Sequence, residues 1–342
     1  MLAVRLHAAG EPPVVEEVPL PEPTGTEVRV RVAGCGICRT DLHIVSGELS
    51  RVELPMTLGH EVAGWVDAIG LEAAQPLRRA RLRPGDAVLI YGGWGCGQCI
   101  ECTGGNEQRC PTGRAPGFQV DGGYAEAVLV PHPRHLVALG KLDPVRAAPL
   151  ADAGVTPYRA VRRAGPWLAF GARVLVIGLG GLGQFLVQYL ARQPNVRVAV
   201  REVDPEKVSL ASEFGAEIAV LDGGAQLAID ALGGPADVVF DVVGSDATLE
   251  LAAAVVAPNG LVMLVGEAGG HIALGFDSPP VESWVTTTAW GSRDDLVEVV
   301  RLARLGALRW TVETMPLRDA AAGLQRVAAG EVTGRIVLVP ER

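Results

Sequence analysis

The chain has 342 residues, long enough for about two domains with full hydrophobic cores, and it carries a formal net charge of −9. With 49% hydrophobic residues and 43 glycines, the composition fits a compact α/β protein and argues against disorder. The acidic balance leaves no basic field for a phosphate backbone, which argues against nucleic acid as a partner.

The first ~150 residues alternate short β-branched runs with Gly and Pro punctuation, as in EVRVRVAG (27–34), EVAGWVDAIG (61–70) and DAVLIYGG (86–93). This texture predicts a β-rich, barrel-like domain. The opening MLAVRLHAAGEPP has no apolar run of secretory type, so a cytoplasmic protein is expected, and there six cysteines argue for metal or catalysis over disulfides.

Between the first two runs lies CRTDLH, followed at Gly59 by GHE. Zinc takes thiolate, imidazole and carboxylate ligands, and a catalytic site keeps one position open. Cys38 and His60 are the first two candidate ligands. The hydroxyl of Thr40, placed in a turn, would lie beside the open position, and His43 would continue a proton path to solvent. A chance scatter of one Cys and two His is the competing reading.

Further on, Cys96, Cys99, Cys102 and Cys110 are spaced CxxCxxCx₇C in a turn-rich loop. Close pairs of thiolates suit a closed structural zinc site, with an iron–sulfur cluster as the alternative. Cys35 is left over and reads as a small buried hydrophobe.

From about Leu150, apolar strands alternate with Ala-rich helical stretches, the pattern of βαβ units. Strands are expected at 173–177, 196–201, 217–221, 236–240 and 260–265, with a sixth near 285–290, giving a doubly wound sheet. The uncharged stretch Val174–Ala191 is flanked by Arg like a membrane span, but its four glycines favour a strand and a helix.

Within that stretch, Gly178, Gly180, Gly181, Leu182 and Gly183 form GxGxxG between a strand and a helix, where backbone amides can approach a pyrophosphate. A close helix–strand crossing without nucleotide is the alternative. Glu202, at the next strand's end, fits the acceptor of the adenosine ribose hydroxyls. Asp204 competes but reads as the N-cap of a helix with Pro205 at its first position, and Arg201 could pair with a 2′-phosphate. The expectation is NAD over NADP. A helix at 294–304 and the strand GRIVLVP (334–340) are expected to return to the first domain.

Taken together, GCGICRTDLH, GHEVAGWV, the four-cysteine lobe, PLADAGVTPYRAV, GLGGLG and GRIVL resemble, in order and over essentially the whole chain, the zinc-dependent alcohol dehydrogenases of the medium-chain dehydrogenase/reductase superfamily. The resemblance implies a GroES-like catalytic domain (1–153 and 292–342) interrupted by a Rossmann NAD-binding domain (154–291), and two zinc ions per chain. It implies Cys38, His60 and Asp152 as catalytic zinc ligands, Asp152 standing where the family more often has Cys. Capping of the following helix is the other reading of Asp152. It further implies Thr40 and His43 as a proton relay running through the nicotinamide ribose, Asp41 as the carboxylate orienting the zinc histidine, Glu61 as a glutamate able to approach the metal, and Arg335 as a pyrophosphate contact.

The implied reaction is reversible oxidation of a primary or secondary alcohol to an aldehyde or ketone by a homodimer or homotetramer. A polyol or threonine dehydrogenase is the alternative within the superfamily, and a non-catalytic zinc-stabilised nucleotide-binding module lies outside it. Trp94, Phe118, Trp284 and Trp290 hint at an apolar substrate pocket unless they are core.

Overall fold

In the first of two compact units, the long strand Val28–Gly36 is the hub of a seven-stranded sheet. The computed structural model describes residues 1–49 and 51–341. The units divide at Val155/Thr156 and Trp290/Gly291, and Leu308–Trp310 also goes with the second unit.

Val28–Gly36 runs antiparallel to Glu61–Ile69, to Ala127–Val130 and to the C-terminal strand Arg335–Val339. Alternation of Val28, Val30 and Val32 toward the interior drives this pairing, because burying each Val side chain contributes roughly 1.5–3 kcal/mol. The register matters for chemistry. Gly36 pairs with Glu61, and Ile37 donates its amide to the Ile336 carbonyl at 2.8 Å. Cys38 leaves the hub strand where His60 enters its neighbour, and Arg335 starts the third strand at the same end. A side chain at Gly36 would occupy the space of the Glu61 carboxylate.

Cys38 precedes the helix Arg39–Ser46, which the apolar-run reading did not anticipate. Asp41 stabilises its start by accepting the Cys38 amide at 2.8 Å, and Gly47 closes it with φ +83°. Thr40 and His43, three residues apart, are therefore neighbours on one helical face rather than residues of a turn.

The second unit carries a six-stranded sheet in which every pairing is parallel. Its strands are Arg173–Ile177, Arg197–Glu202, Ile218–Leu221, Ala236–Asp241, Val256–Leu264 and Trp284–Thr287. Numbered within the unit, their order is 3-2-1-4-5-6, the doubly wound arrangement, with its switch point beside Arg173–Ile177. The uncharged stretch Val174–Ala191, expected as a strand and a helix, lies in that strand and the helix Gly183–Leu190. Among the described residues no helix is long and apolar enough to cross a membrane.

Candidate functional site

Two groups of side chains stand out, each of four donors whose atoms lie within 4.8 Å of one another: Cys38, His60, Glu61 and Asp152, and Cys96, Cys99, Cys102 and Cys110. In the first, Asp152 Oδ2 lies 3.6 Å from Cys38 Sγ and 3.7 Å from His60 Nε2. Three donors about 2.0–2.3 Å from one tetrahedral centre would be separated by such distances. The helix after Asp152 begins only at Val155, so the carboxylate is delivered to Cys38 and His60 by the short turn Ala148–Ala151.

His60 reaches this position because Gly59 takes φ +96°, a backbone conformation costly for residues with a Cβ. Asp41, wholly buried, faces the other imidazole nitrogen, with Oδ1 3.3 Å from His60 Nδ1. Burial disfavours a charged imidazole here, yet Asp41 and Asp152 outweigh it and push His60 well above its ordinary range. A pocket with that balance calls for positive charge, which is what a cation among thiolate, imidazole and carboxylate supplies.

Glu61, the fourth donor of the group, is paired with Arg335, whose Nη2 donates to Glu61 Oε1 at 2.7 Å and whose Nε bridges both carboxylate oxygens. Burial raises Glu61 to about 7, with the arginine pulling the other way. Arg335 Nη2 is also 3.5 Å from Cys38 Sγ and 3.8 Å from Asp152 Oδ2. The residue that the resemblance gives to pyrophosphate is thus itself built into the edge of the donor cluster.

Thr40 Oγ1 lies 3.5 Å from Cys38 Sγ. His43, on the same helical face, has Nδ1 2.6 Å from Glu48 Oε2, and the exposed Glu48 is a contact that sequence reading missed. Its carboxyl is held below the usual range by the Ser46 hydroxyl and by His43. Of the four aromatics considered for a pocket, Phe118 packs on His60 with ring centroids 5.4 Å apart. Trp94 is core, its indole N–H donating to the Tyr91 carbonyl, and Trp284 packs on Trp167 in the second unit.

In the second cluster, Cys96 and Cys102 sulfurs are 4.0 Å apart and those of Cys99 and Cys110 are 3.8 Å apart. These separations suit four thiolates about 2.3 Å from a shared zinc ion. Amides of the loop already point at sulfur: Cys96 N donates to Cys110 Sγ at 3.3 Å and Cys99 N to Cys96 Sγ at 3.4 Å. Cys35, by contrast, is fully buried, and burial pushes its thiol well up.

In the second unit, Gly178 has φ +96°, and a Cβ at Gly183 would lie 2.2 Å from the Gly178 carbonyl oxygen. A Cβ at Gly180 would meet nothing within 4 Å, so the loop presents bare backbone to any ligand at the helix start. Glu202 supports this loop: Oε2 accepts the Leu179 amide at 2.6 Å, and Oε1 accepts the Val203 and Asp204 amides. Asp204 caps the next helix through the Glu206 amide, and Arg201 pairs with Asp222 at 2.6 Å.

Residues 24–141 match the family model for an alcohol dehydrogenase GroES-like domain, and residues 181–304 match that for a zinc-binding dehydrogenase. A D-arabinose 1-dehydrogenase (NADP(+)) of Saccharolobus solfataricus is 34% identical, the match covering 99% of this chain and 97% of that protein. An NAD-dependent alcohol dehydrogenase of Sulfurisphaera tokodaii is 33% identical over 99% and 100%. The crystal structure of the alcohol dehydrogenase of Aeropyrum pernix superposes with a TM-score of 0.92 at 34% identity, covering 99% of this chain and 100% of that one. With both family models matched in order and relatives aligned end to end, the chain belongs to the zinc-binding alcohol dehydrogenase family of oxidoreductases.

Proposed function

We propose that the chain oxidises a primary or secondary alcohol reversibly to an aldehyde or ketone, with NAD as hydride acceptor and two zinc ions per chain. The convergence of Cys38, His60 and Asp152 carries this reading. These three would hold the catalytic ion, and the four-cysteine lobe would hold the other. A zinc ion in a three-ligand site supplies Lewis acidity that brings an alcohol's pKa toward neutrality, and NAD supplies the nicotinamide that takes the hydride.

The chain's own residues do the rest. Thr40, beside the Cys38 sulfur, is placed to accept the alcohol proton as it gives up its own, and His43 with Glu48 stands toward water to take that charge onward. Asp41 fixes the His60 tautomer so that Nε2 faces the cluster. Glu61 and Arg335 hydrogen-bond to each other beside the ligands, and Arg335 is the family's expected pyrophosphate contact. In the second unit, the Gly178–Gly183 loop would cradle the pyrophosphate, and Glu202 would turn its remaining lone pairs to the adenosine ribose and repel a 2′-phosphate. Asp222 neutralises Arg201, which favours NAD further.

Phe118 on the His60 ring favours a partly apolar substrate. The similarity to the D-arabinose enzyme favours a second reading, a sugar or polyol dehydrogenase. The edge strand Trp284–Thr287 leaves Trp284 59% exposed, which fits a homodimer or homotetramer.

A spectrophotometric panel of primary, secondary, aromatic, polyol and aldose substrates, run with NAD and NADP in parallel, tests these readings together. Reduced-nicotinamide absorbance from simple alcohols with NAD is expected; activity confined to aldoses with NADP would replace the reading. Thr40→Ala is expected to lower kcat by about 10²–10⁴-fold with NAD affinity unchanged, and normal turnover would remove Thr40 from the relay.

A further inference from the structure

Among the described residues, the wholly buried Tyr124 lies near the donor cluster with a hydroxyl to which neither the proton path nor the three ligands give a role. Residues 122–124 run alongside 57–59, the segment that delivers His60. Gly122 N donates to Thr57 O at 2.8 Å, Gly123 N to Gly59 O at 2.8 Å and Tyr124 N to Leu58 O at 2.9 Å. This register lays the Tyr124 ring over Gly59, where a Cβ would lie 2.3 Å from Cδ1.

The ring is 0% exposed, and its hydroxyl donates to Asp41 Oδ2 at 2.9 Å. The same oxygen accepts the Cys38 amide at 2.8 Å. With Oδ2 fixed by two donors, Oδ1 is left facing His60 Nδ1. Burial first, and the Asp41 carboxylate second, push the Tyr124 hydroxyl well above its ordinary range, so it remains a donor at any working pH.

We propose that Tyr124 is a positioning residue of the catalytic zinc centre, its hydroxyl anchoring Asp41 so that Asp41 holds the His60 tautomer that presents Nε2 to the ion. A carboxylate with no access to water depends on each donor it has, and removing the tyrosine hydroxyl leaves Oδ2 with the Cys38 amide alone, one donor short and less constrained about χ2. Partners of this kind commonly tune metal affinity through the ligand they orient. The inference rests on the zinc reading of the Cys38, His60 and Asp152 cluster.

Tyr124→Phe keeps the ring over Gly59 and removes only the donor. Zinc per chain is followed by elemental analysis during a graded chelator challenge, with the four-cysteine zinc as internal control. One zinc is expected to leave Tyr124→Phe at a chelator activity on the order of tenfold lower than in the wild type, while the other stays. In an Asp41→Asn background, adding Tyr124→Phe is expected to change nothing further.

An unchanged chelator curve, an additive effect on top of Asp41→Asn, or loss of both zincs together would overturn the assignment of Tyr124. A wild-type protein that holds one zinc would overturn the zinc reading itself, and the proposal with it.

Discussion

Both donor clusters belong to the same compact unit, yet they are assembled in opposite ways. The four cysteines lie in one loop, are of one chemical type, and are fixed by amides of that loop, with Cys96 exposed. Cys38 and Asp152 are 114 positions apart, and thiolate, imidazole and carboxylate meet there only because the strand register brings three chain segments to one sheet end. Four like thiolates close a coordination shell and leave nothing for a substrate, whereas three mixed donors leave a position open. The loop cluster is built for stability, and the cluster at the sheet end is built for chemistry.

The largest test of that contrast removes a ligand from the open site. Asp152→Ala is expected to reduce zinc from two to one per chain and to lower kcat/KM by at least ~10³-fold, the several kcal/mol that Lewis-acid stabilisation contributes. Elemental analysis still showing two zincs would sink the ligand assignment. Cys102→Ser should give the complementary result: the other zinc is lost and the melting temperature falls, with initial turnover per remaining zinc retained. A Cys102→Ser protein that stays as stable as the wild type but is inactive would reverse the two roles.

How far each region was legible follows from the same contrast. The cysteine lobe and the glycine loop could be read directly, because their ligands and amides are sequence neighbours. Each of the six strands of the parallel sheet lies at or within a few residues of its expected place, since buried parallel strands are nearly continuous apolar runs. The helix Arg39–Ser46 was missed because its polar, charged face shows no apolar period, and Cys38 and Asp41 signal it only as a cap. Asp152 became visible only through a family resemblance, since no local pattern ties it to Cys38. Glu48 and Tyr124 gave no signal: one is an exposed acid after a helix, the other a core aromatic whose hydroxyl partner lies 83 positions away.

The lobe's stability role is sharpened by His135, which is buried beside Glu107 of the lobe, Nδ1 to Oε2 3.6 Å. Burial, and then Arg134, lowers its pKa to about 3. An unfolded imidazole titrates near 6.5, so between those values the unfolded chain binds the extra proton. Stability from this group is full above ~6.5 and falls as pH drops toward 3, by about 2 kcal/mol between pH 7 and pH 5. Glu107 is raised by burial and so acts with the opposite sign, losing its contribution as pH rises. Denaturant melts at matched free zinc are expected to show a shallower pH slope for His135→Asn than for the wild type. Equal slopes would show that His135 is not the group responsible.

The smallest expected effect isolates what makes one cluster catalytic. Each has a thiolate followed two residues later by a threonine hydroxyl: Cys38 and Thr40 at 3.5 Å, Cys110 and Thr112 at 3.6 Å. The local chemistry is the same, so proximity of hydroxyl to sulfur cannot by itself mark a relay. What differs is continuation: His43 follows Thr40 on the same helix and meets the exposed Glu48 just past its end, while Thr112 sits exposed at the surface of a closed set of cysteine sulfurs. Thr112→Ala should therefore stay within about ±0.5 kcal/mol in both stability and the activation barrier, about twofold in rate, as surface substitutions do. If Thr112→Ala slowed turnover as much as Thr40→Ala, both threonines would be supports for their thiolates, and the division between a stabilising and a reacting cluster would fail at its most specific point.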